Sequence, residues 1–390
     1  MSPGPGAATD AAAEVLAALR DAARALGERV APRLEGLGED DAAHVALGAL
    51  AAAGLTRWTV PERDGGADAR GLVARDDVSA RAVCTLRDEL AWHSGMLDVM
   101  LVMQGLSAYA VARGGTERVR AEVLPALARG ELVGAFALTE PNAGSSVDDV
   151  ATRAEQSGGT WRIFGHKTFI SNAGIAGHYS VLARTSGEPG SRGGLTMFSV
   201  PGTAQGLSCE RFEVIGPHPI GDVVFDGVEV GDERRLGPVG NGIDLALATL
   251  GRFRASVAAC ANGFARRALD ASKARLVERS QFGRPLASFQ ALRFEIAEMD
   301  VRLRAAQLLT AEAAAAVDAG GDATAAVARA KYFATETAGF VADRAVQLHG
   351  GVGVRRGSVV ERIYRDVRAL RIYEGTSEIQ KLVLAREILG

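Results

Sequence analysis

The hydrophobic pattern of this chain changes its period twice, and this change constrains the fold more than any other feature. Between residues 10 and 129, apolar side chains recur at helical spacing. Between residues 134 and 233, short runs rich in β-branched and aromatic residues alternate with Gly-containing turns. From residue 241 to residue 389 the helical spacing returns. The pattern predicts an α+β protein with three domains, at residues 1–133, 134–235 and 236–390.

Each region predicts its own architecture. The first is an all-α domain, interrupted by a Pro- and Gly-containing loop at residues 60–66. The second is an antiparallel β barrel or sandwich, with strands expected at residues 161–164, 167–170, 179–182, 195–200 and 223–226. The third is a four-helix bundle, with helices expected at residues 243–278, 289–319, 323–348 and 377–388.

Composition excludes several classes of protein. Hydrophobic residues make up 47% of the chain and the net charge is −3, so nothing indicates a nucleic-acid surface. The cysteines Cys84, Cys209 and Cys260 lie far apart, so neither a disulfide framework nor a metal site is expected. Residues 2–9 are small and expected to be disordered. No signal peptide is recognisable, and no uninterrupted apolar run reaches about 18 residues, so we expect a cytoplasmic protein without a membrane span.

The run Tyr373-Glu374-Gly375-Thr376 places a carboxylate directly before a predicted helix. Gly375 permits backbone angles that other residues avoid, and Ser377 with Gln380 has the spacing of a capping box. The helix dipole lowers the pKa of such a carboxylate, while burial against an apolar substrate raises it. A general base that works near neutral pH needs such a balance. The alternative is an ordinary acidic residue at a helix start, and the local sequence alone favours that alternative.

Other motifs surround this one in the sequence. Residues 136–146 leave a strand through a turn with Gly and Ser, whose N–H groups and hydroxyls suit an acceptor-rich ligand. Residues 169–174, 279–286 and 347–353 carry further Gly-containing runs. The Gly-Gly-Val-Gly turn at residues 350–353 follows a helix rather than a strand, so it does not support NAD binding.

Taken together, these runs resemble the acyl-CoA dehydrogenase family, and the matches extend over nearly the whole chain. They include the Thr-Glu-Pro and Ala-Gly-Ser turn, the Arg and Phe-Gly stretch, the Gln and Gly-Gly turn, and the Glu-Gly-Thr-Ser-Glu-Ile-Gln motif. The resemblance implies FAD at the junction of the three domains. It also implies a homotetramer built as a dimer of dimers, and an electron-transfer flavoprotein as the electron acceptor.

The resemblance also implies roles for particular residues. The implied catalytic base is Glu374, and the implied substrate-site residues are Tyr373, Arg254 and Gly375. The implied FAD contacts are Leu138, Thr139, Gly144, Ser145, Phe169, Ser171, Gln281, Thr376 and Glu378. Five further residues match positions that contact the FAD of a neighbouring subunit: Arg279, Phe282, Gln347, Gly350 and Gly351. Phe169 stands where the family usually has Trp, Ser171 stands for the usual Thr near flavin N5, and Gln281 stands where Thr is frequent.

The implied reaction is α,β-dehydrogenation of an acyl thioester, in which Glu374 removes an α-proton and flavin N5 takes a hydride from the β-carbon. The family stabilises the developing enolate with the backbone N–H of this Glu and a flavin ribityl hydroxyl, an oxyanion-type contact. Some members place the base on the long helix after the β domain, at the position of Phe253 here. Phe cannot accept a proton, which favours Glu374.

One loop departs from the family pattern and keeps alternatives open. Residues 214–222 carry Gly216, His218 and Ile220 where the family commonly has Arg, Ser and Thr, and two prolines stiffen the loop. This loop lies toward substrate and CoA in the family. The alternative to an ordinary acyl-CoA dehydrogenase is therefore a related dehydrogenase, or an oxidase that uses O₂. Its substrate would be an acyl group on a carrier protein, or an unusual short or branched acyl group. Neutral drift of the loop is equally consistent with the sequence.

Overall fold

The computed structural model of the chain describes residues 5–191 and 193–390. The N-terminal helices are α1 (Pro5–Leu34), α2 (Glu39–Ala52), α3 (Ala80–His93), α4 (Gly95–Gly114) and α5 (Glu117–Ala128). Helix α1 begins at Pro5, so the expected disorder is wrong for residues 5–9, while residues 2–4 lie outside the described residues. Helix α4 is long and apolar enough to cross a membrane, but 83% of its apolar window is buried inside the protein, as in a core helix.

The central region forms, within the described residues, one eight-stranded sheet. Its strands are β1 (Gly134–Ala137), β2 (Arg153–Ser157), β3 (Thr160–Ser171), β4 (His178–Arg184), β5 (Leu195–Pro201), β6 (Leu207–Arg211), β7 (Ile220–Gly231) and β8 (Arg235–Leu236). The strand order is β6-β7-β3-β2-β4-β5-β8, with β1 beside β4. Most pairings are antiparallel as predicted, but β1 and β2 each pair with β4 in parallel.

Two strands expected from the sequence are one strand in the structure. Strand β3 runs without a break from Thr160 to Ser171, although residues 165–166 were expected to be a turn. Its register against β7 shifts between Ile163 and Phe164, as in a β-bulge. A Cβ atom on Gly165 would lie 2.3 Å from Thr152 Oγ1, so this glycine serves close backbone approach rather than a turn.

The C-terminal helices are α6 (Gly242–Glu278), α7 (Gln290–Asp318), α8 (Thr324–His349), α9 (Val359–Arg368) and α10 (Ser377–Leu389). A short hairpin of β9 (Ser280–Gln281) and β10 (Arg284–Pro285) follows α6. The four predicted helices match α6, α7, α8 and α10 to within a residue or two at each end. The sequence pattern did not indicate α9. The predicted order of a helical domain, a β domain and a helical domain is confirmed.

The chain divides into two compact units. The first contains the described chain up to Val15, Arg29–Ser79 and Val99–Phe253, and the second contains Leu16–Glu28, Ala80–Asp98 and Arg254–Gly390. The core of the first unit joins α5 residues such as Val123 to sheet residues such as Met197. The core of the second unit consists mainly of Ala, Val and Leu from α6, α7 and α8. The many alanines among them let neighbouring helices pack closely.

A buried ion pair connects strand β3 to the segment after β1. Lys167 Nζ donates hydrogen bonds to Glu140 Oε1 at 2.8 Å and to the Leu138 carbonyl at 2.9 Å. Glu140 also accepts hydrogen bonds from the backbone N–H groups of Ala151 and Thr152. Burial lowers the pKa of Lys167 to about 8, while Glu140 acts in the opposite direction. The pair therefore joins β3 to the turn that follows β1.

We predict that replacing Glu140 with Gln lowers the free energy of unfolding by about 3–5 kcal/mol, because Lys167 then keeps a buried charge without its carboxylate. The shift is measured as the midpoint of urea unfolding, followed by tryptophan fluorescence, to which Trp161, buried in the same sheet, contributes. Glu131→Gln is the matched control, since that carboxylate is exposed and pairs with exposed Arg129. Coincident midpoints for the two variants would show that the ion pair is dispensable.

Candidate active site

The segment before α10 has an unusual backbone at Glu374 and Gly375. Glu374 has φ of +52° and Gly375 has φ of +88°, so two successive residues lie in the left-handed region. Residues that carry a Cβ atom are disfavoured in this region, whereas glycine adopts it readily. A Cβ atom on Gly375 would also lie 2.6 Å from the Gln380 Nε2 atom. The second position therefore requires glycine, while the first carries a carboxylate at a conformational cost.

Two cationic side chains of the second unit bind the carbonyl groups of this dipeptide. Arg254 Nε donates to the Glu374 carbonyl at 2.9 Å, and Lys331 Nζ donates to the Gly375 carbonyl at 2.6 Å. Gln380 Nε2 donates to the same Gly375 carbonyl at 3.1 Å. The side chain of Lys331 is fully buried on α8. These bonds bring together predicted site residues Arg254, Glu374 and Gly375.

The carboxyl group of Glu374 is enclosed and incompletely paired. Burial raises the pKa of Glu374, and the positive charges of Arg87, Arg254 and Lys331 oppose that rise. The Oε2 atom is buried without a hydrogen-bond partner among the described residues. A buried polar atom without a partner is rare in native proteins and calls for a functional explanation. This atom is therefore suited to exchange a proton with a ligand.

A buried ion pair lies among the charges that act on Glu374. Arg87 on α3 donates from Nε to Asp98 Oδ1 at 2.7 Å and from Nη2 to Asp98 Oδ2 at 2.8 Å. Arg87 Nη1 also donates to Ser256 Oγ at 2.9 Å, and the Cys260 thiol donates to Asp98 Oδ2 at 3.1 Å. This bidentate geometry is the one that best compensates burial of both charges. The pair supplies a fixed positive group, Arg87, and a fixed negative group, Asp98, in the surroundings of the base.

Tyr373 precedes the base and is exposed over 38% of its surface. Burial raises the pKa of its hydroxyl well above the usual value, with the negative charges of Cys260 and Asp98 adding to the rise. The phenol therefore stays protonated and can donate a hydrogen bond.

The start of α10 differs from the predicted capping box. Thr376, not Ser377, is the N-cap residue, and its hydroxyl accepts a hydrogen bond from Ile379 N–H at 3.3 Å. Ser377 Oγ donates instead to Glu336 Oε1 at 2.6 Å. Gln380 reaches back to Gly375, as described above. The predicted cap was therefore wrong by one residue, because the sequence pattern contains both Thr and Ser at adjacent positions. Glu378 is exposed in the first turn.

In the first unit, the residues expected near the flavin lie around the turn after β1. The Thr139 carbonyl accepts a hydrogen bond from Thr168 N–H at 2.9 Å, and Leu138 is held by Lys167 as described above. Glu140 and Ala143 bond to each other through their backbones. Gly144 and Ser145 follow on the exposed side of this turn.

Phe169 and Ser171 stand at the end of β3, also in the first unit. Phe169 has φ of +54°, is 62% exposed and makes an edge contact with Phe212, with ring centroids 5.2 Å apart. His218 Nδ1 lies 2.9 Å from the Gly216 carbonyl, so the Nδ1–H tautomer donates there. His218 Nε2 then accepts from Ser171 Oγ at 3.1 Å. The loop that departs from the family pattern therefore contacts Ser171 directly.

The remaining predicted cofactor residues are exposed in the second unit. Arg279, Gln281 and Phe282 lie in and beside the β9–β10 hairpin, where Phe282 is 93% exposed and has φ of +51°. Gln347 lies near the end of α8, and Gly350 and Gly351 form the turn that follows. By contrast, Phe253 is fully buried in the first unit and packs edge-on against Tyr109 at 6.1 Å.

The described residues fit FAD on both units, taken separately. In the first unit, Phe169 offers a largely exposed ring, with the Ser171 hydroxyl two residues on. In the second unit, the almost fully exposed ring of Phe282 follows the exposed guanidinium of Arg279. An exposed aromatic ring can stack against a planar ligand, and Arg suits a phosphate group. Among the described residues, no cluster of three His, Cys, Asp or Glu side chains could hold a metal ion.

Sequence reasoning missed Lys331, the Arg87–Asp98 pair and His218 as a partner of Ser171. A signal for Lys331 existed in the composition. The chain has 44 Lys and Arg residues, of which only Lys167, Lys273, Lys331 and Lys381 are lysines. Two of these four, Lys167 and Lys331, are fully buried and bind backbone carbonyls. A scarce residue type is a weak pointer to positions where that side chain is needed.

Comparison with known proteins gives a consistent family assignment. The chain matches the N-terminal domain of acyl-CoA dehydrogenases at residues 13–131, the middle domain at residues 135–228 and the C-terminal domain at residues 240–389. Among curated proteins, a 3-(aryl)acrylate reductase of Clostridium sporogenes is 38% identical over 314 residues, covering 79% of this chain and 83% of the relative. The caffeyl-CoA reductase-Etf complex subunit CarC of Acetobacterium woodii is 36% identical over 310 residues, covering 77% of this chain and 80% of that protein.

Solved structures agree. The butyryl-CoA dehydrogenase of Megasphaera elsdenii superposes with a TM-score of 0.88 at 30% identity, covering 96% of this chain and 98% of that one. The resemblance noted in the sequence is therefore confirmed across all three domains. The chain belongs to the acyl-CoA dehydrogenase family and is an FAD-dependent oxidoreductase.

Proposed function

We propose that the chain catalyses the α,β-dehydrogenation of an acyl-CoA to a trans-2-enoyl-CoA, with Glu374 as the base that removes the α-proton. The observation that carries this proposal is the buried, unpartnered Oε2 of Glu374 on a backbone fixed by two side-chain cations. A base must be held in one place and be free to accept a proton, and this arrangement provides both.

The surroundings of Glu374 match its proposed task. Burial raises the pKa of the carboxyl group and so strengthens it as a base, while Arg87, Arg254 and Lys331 keep an ionised form accessible. The α-proton of the thioester would pass to Oε2, where no competing hydrogen bond from a described residue has to be broken. Arg254 and Tyr373 would line the substrate side of the base. Arg254 is placed there by its bond to the Glu374 carbonyl.

The proposed cofactor contacts are of two kinds. Leu138, Thr139, Gly144, Ser145, Phe169, Ser171, Gln281, Thr376 and Glu378 would be FAD contacts of the chain, and Arg279, Phe282, Gln347, Gly350 and Gly351 would contact the FAD of a neighbouring subunit. FAD, when bound, supplies the acceptor for the hydride that leaves the β-carbon as Glu374 takes the α-proton. Loss of one proton and one hydride gives the trans double bond.

We also propose that electrons pass on to an electron-transfer flavoprotein, that the protein is a homotetramer and that it is cytoplasmic. The first point is supported by the Acetobacterium woodii relative, whose name places it in a complex with Etf. The second is supported by the exposure of Arg279, Phe282 and Gly350, which the family resemblance places against a neighbouring subunit's cofactor. A solution mass from light scattering that corresponds to a monomer would exclude the tetramer.

A second candidate is the reverse reaction, reduction of an aryl-substituted acryloyl thioester. It is favoured by the names of two relatives, a 3-(aryl)acrylate reductase and a caffeyl-CoA reductase. Because burial raises the pKa of Glu374, its protonated form is stabilised, and that form can return a proton to the α-carbon. A reduced enzyme that is reoxidised by aryl-acryloyl-CoA, but an oxidised enzyme that no saturated acyl-CoA bleaches, would favour this candidate.

A third candidate function, suggested by the atypical loop at residues 214–222, is dehydrogenation of a carrier-protein thioester or of an unusual short or branched acyl group. Support comes from the contact between His218 and Ser171, which ties the atypical loop to a proposed flavin residue. Anaerobic titration with matched acyl-CoA and acyl-carrier-protein thioesters distinguishes these substrates. Faster bleaching by the carrier-bound thioester would replace CoA as the proposed carrier.

We predict that Glu374→Gln slows flavin bleaching by a saturated acyl-CoA about 100-fold or more, because general-base catalysis contributes on that order. The measurement is stopped-flow absorbance under anaerobic conditions. Glu387→Gln, which alters an exposed carboxylate near the end of α10, the helix that follows Glu374, is the matched control and is expected to bleach at the normal rate. If Glu374→Gln bleaches as fast as the unmodified protein, another group is the base.

The rate of bleaching is expected to rise with pH and to reach its half-maximal value above pH 4.5, the ordinary pKa of a Glu side chain. Only ionised Glu374 can accept the proton, and burial raises the pKa at which it ionises, so activity is lost as pH falls through that raised value. The same stopped-flow measurement over a pH series tests this. A midpoint at or below pH 4.5 would mean that burial does not govern the base.

Flavin retention tests the proposed cradle. We expect Phe169→Ala to bind FAD about five- to tenfold more weakly, because a buried aromatic contact contributes about 1 kcal/mol beyond its area. The flavin content after gel filtration measures this. Phe169→Trp keeps an aromatic ring at the same backbone position and is expected to retain its flavin. Equal flavin contents for the Ala and Trp variants would remove Phe169 from the site.

A further inference from the structure

We propose that Lys331 is a positioning residue for the base, which fixes the Gly375 carbonyl and holds Glu374 in its left-handed conformation with its carboxylate ionised. This inference rests on the proposed role of Glu374 and adds a residue that neither the sequence motifs nor the comparisons assign. Lys331 acts through the backbone and its charge, not by touching substrate.

The contact itself is short and enclosed. Lys331 lies on α8 with its side chain fully buried, and Nζ donates to the Gly375 carbonyl at 2.6 Å. Burying an ammonium group is costly unless it is well compensated, and an apolar side chain at this helix position would avoid the cost. Lys167, the other buried lysine, is compensated by the Glu140 carboxylate at 2.8 Å. Lys331 is instead directed at a backbone carbonyl beside the base.

The Gly375 carbonyl is a point where the base can be controlled. The Glu374 and Gly375 residues both have positive φ, so this short segment is held against its own conformational preference. Arg254 from α6 fixes the first carbonyl and Lys331 from α8 fixes the second. Two bonds from two different helices define both the position and the rotation of the dipeptide. The carboxylate position depends on both, and small displacements of a catalytic group lower rates strongly.

Charge adds a second effect. Lys331 faces Glu374, Arg254 from α6, Glu336 on its own helix and Glu378 from α10. Glu374 in turn faces Arg87 from α3, Asp98, Arg254 and Lys331. Among these groups Lys331 is one of three cations that oppose the effect of burial on Glu374. Burial lowers the pKa of Lys331 to about 8, so the ammonium form prevails at neutral pH. Removing it should make Glu374 harder to ionise.

The test compares four variants of the full-length, flavin-loaded protein. Lys331→Met removes the charge and the donor, Lys331→Gln removes the charge but keeps a donor, and Lys331→Arg keeps both. Lys273→Met is the matched control, because that lysine is half-exposed on α6 and pairs with Asp270 one turn away. Ionisation of Glu374 is followed without substrate, as the infrared carboxyl band that is absent from Glu374→Gln. The pH profile of anaerobic bleaching by butyryl-CoA is the second readout.

We expect Lys331→Met and Lys331→Gln to raise the midpoint of Glu374 ionisation by about one pH unit, which slows bleaching about tenfold below that midpoint. Lys331→Met should also bleach more slowly at high pH, where Glu374 is ionised in every variant, because its backbone is less well held. Lys331→Arg should restore both properties towards those of the unmodified protein, and Lys273→Met should change neither.

Unchanged Glu374 ionisation in Lys331→Gln would overturn the electrostatic part of the inference, and unchanged high-pH bleaching in Lys331→Met would overturn the positioning part. If Lys331→Met does not fold or retain flavin, the Gln and Arg variants decide, since a midpoint shift in both or in neither contradicts the proposal. The proposed function fails separately, when Glu374→Gln bleaches at the normal rate. In that case the infrared comparison still reports whether Lys331 controls Glu374.

Discussion

The candidate site depends on a backbone that its own residues disfavour. Glu374 and Gly375 both adopt left-handed angles, and only the second is glycine. The conformation persists because Arg254, Lys331 and Gln380 bind the two carbonyl groups from three different helices. Arg254 and Lys331 stand on α6 and α8, which pack in the core of the second unit, and Gln380 stands on α10, which packs against α8. The packing of these helices therefore fixes the position of the Glu374 carboxylate.

Much of the fold follows from periodicity alone, and the reason is physical. Helix α6 was predictable because 37 residues without proline keep one spacing, and its observed bounds are Gly242–Glu278. The β3 strand was divided wrongly, because Gly165 reads as a turn in sequence while in the protein it allows close approach to Thr152. The parallel pairing of β1 with β4 was not predictable, since it joins segments about 40 residues apart through no local signal.

The site shows the same division between local and long-range information. Glu374 and Gly375 were found because they form a contiguous motif that resembles a known family. Lys331 and Arg87 were not, because each reaches Glu374 across the tertiary structure and neither stands in a distinctive local sequence. The N-cap residue could not be predicted locally either, because Thr376 and Ser377 are both good N-cap residues. In the structure Ser377 Oγ donates to Glu336, and Thr376 is the N-cap.

The loop at residues 214–222, which departs from the family pattern, makes hydrogen bonds to the end of β3 and to the residue after it. His218 accepts a hydrogen bond from Ser171, and the Pro219 carbonyl accepts one from Asn172 N–H at 2.7 Å. The two unusual features of the sequence, Ser171 in place of Thr and His218 in place of Ser, are therefore partners in one contact. Because the hydroxyl of Ser171 donates to His218, its lone pairs remain available to a donor on a ligand. Through this contact the Ser171 hydroxyl can offer an acceptor to a ligand at the end of β3.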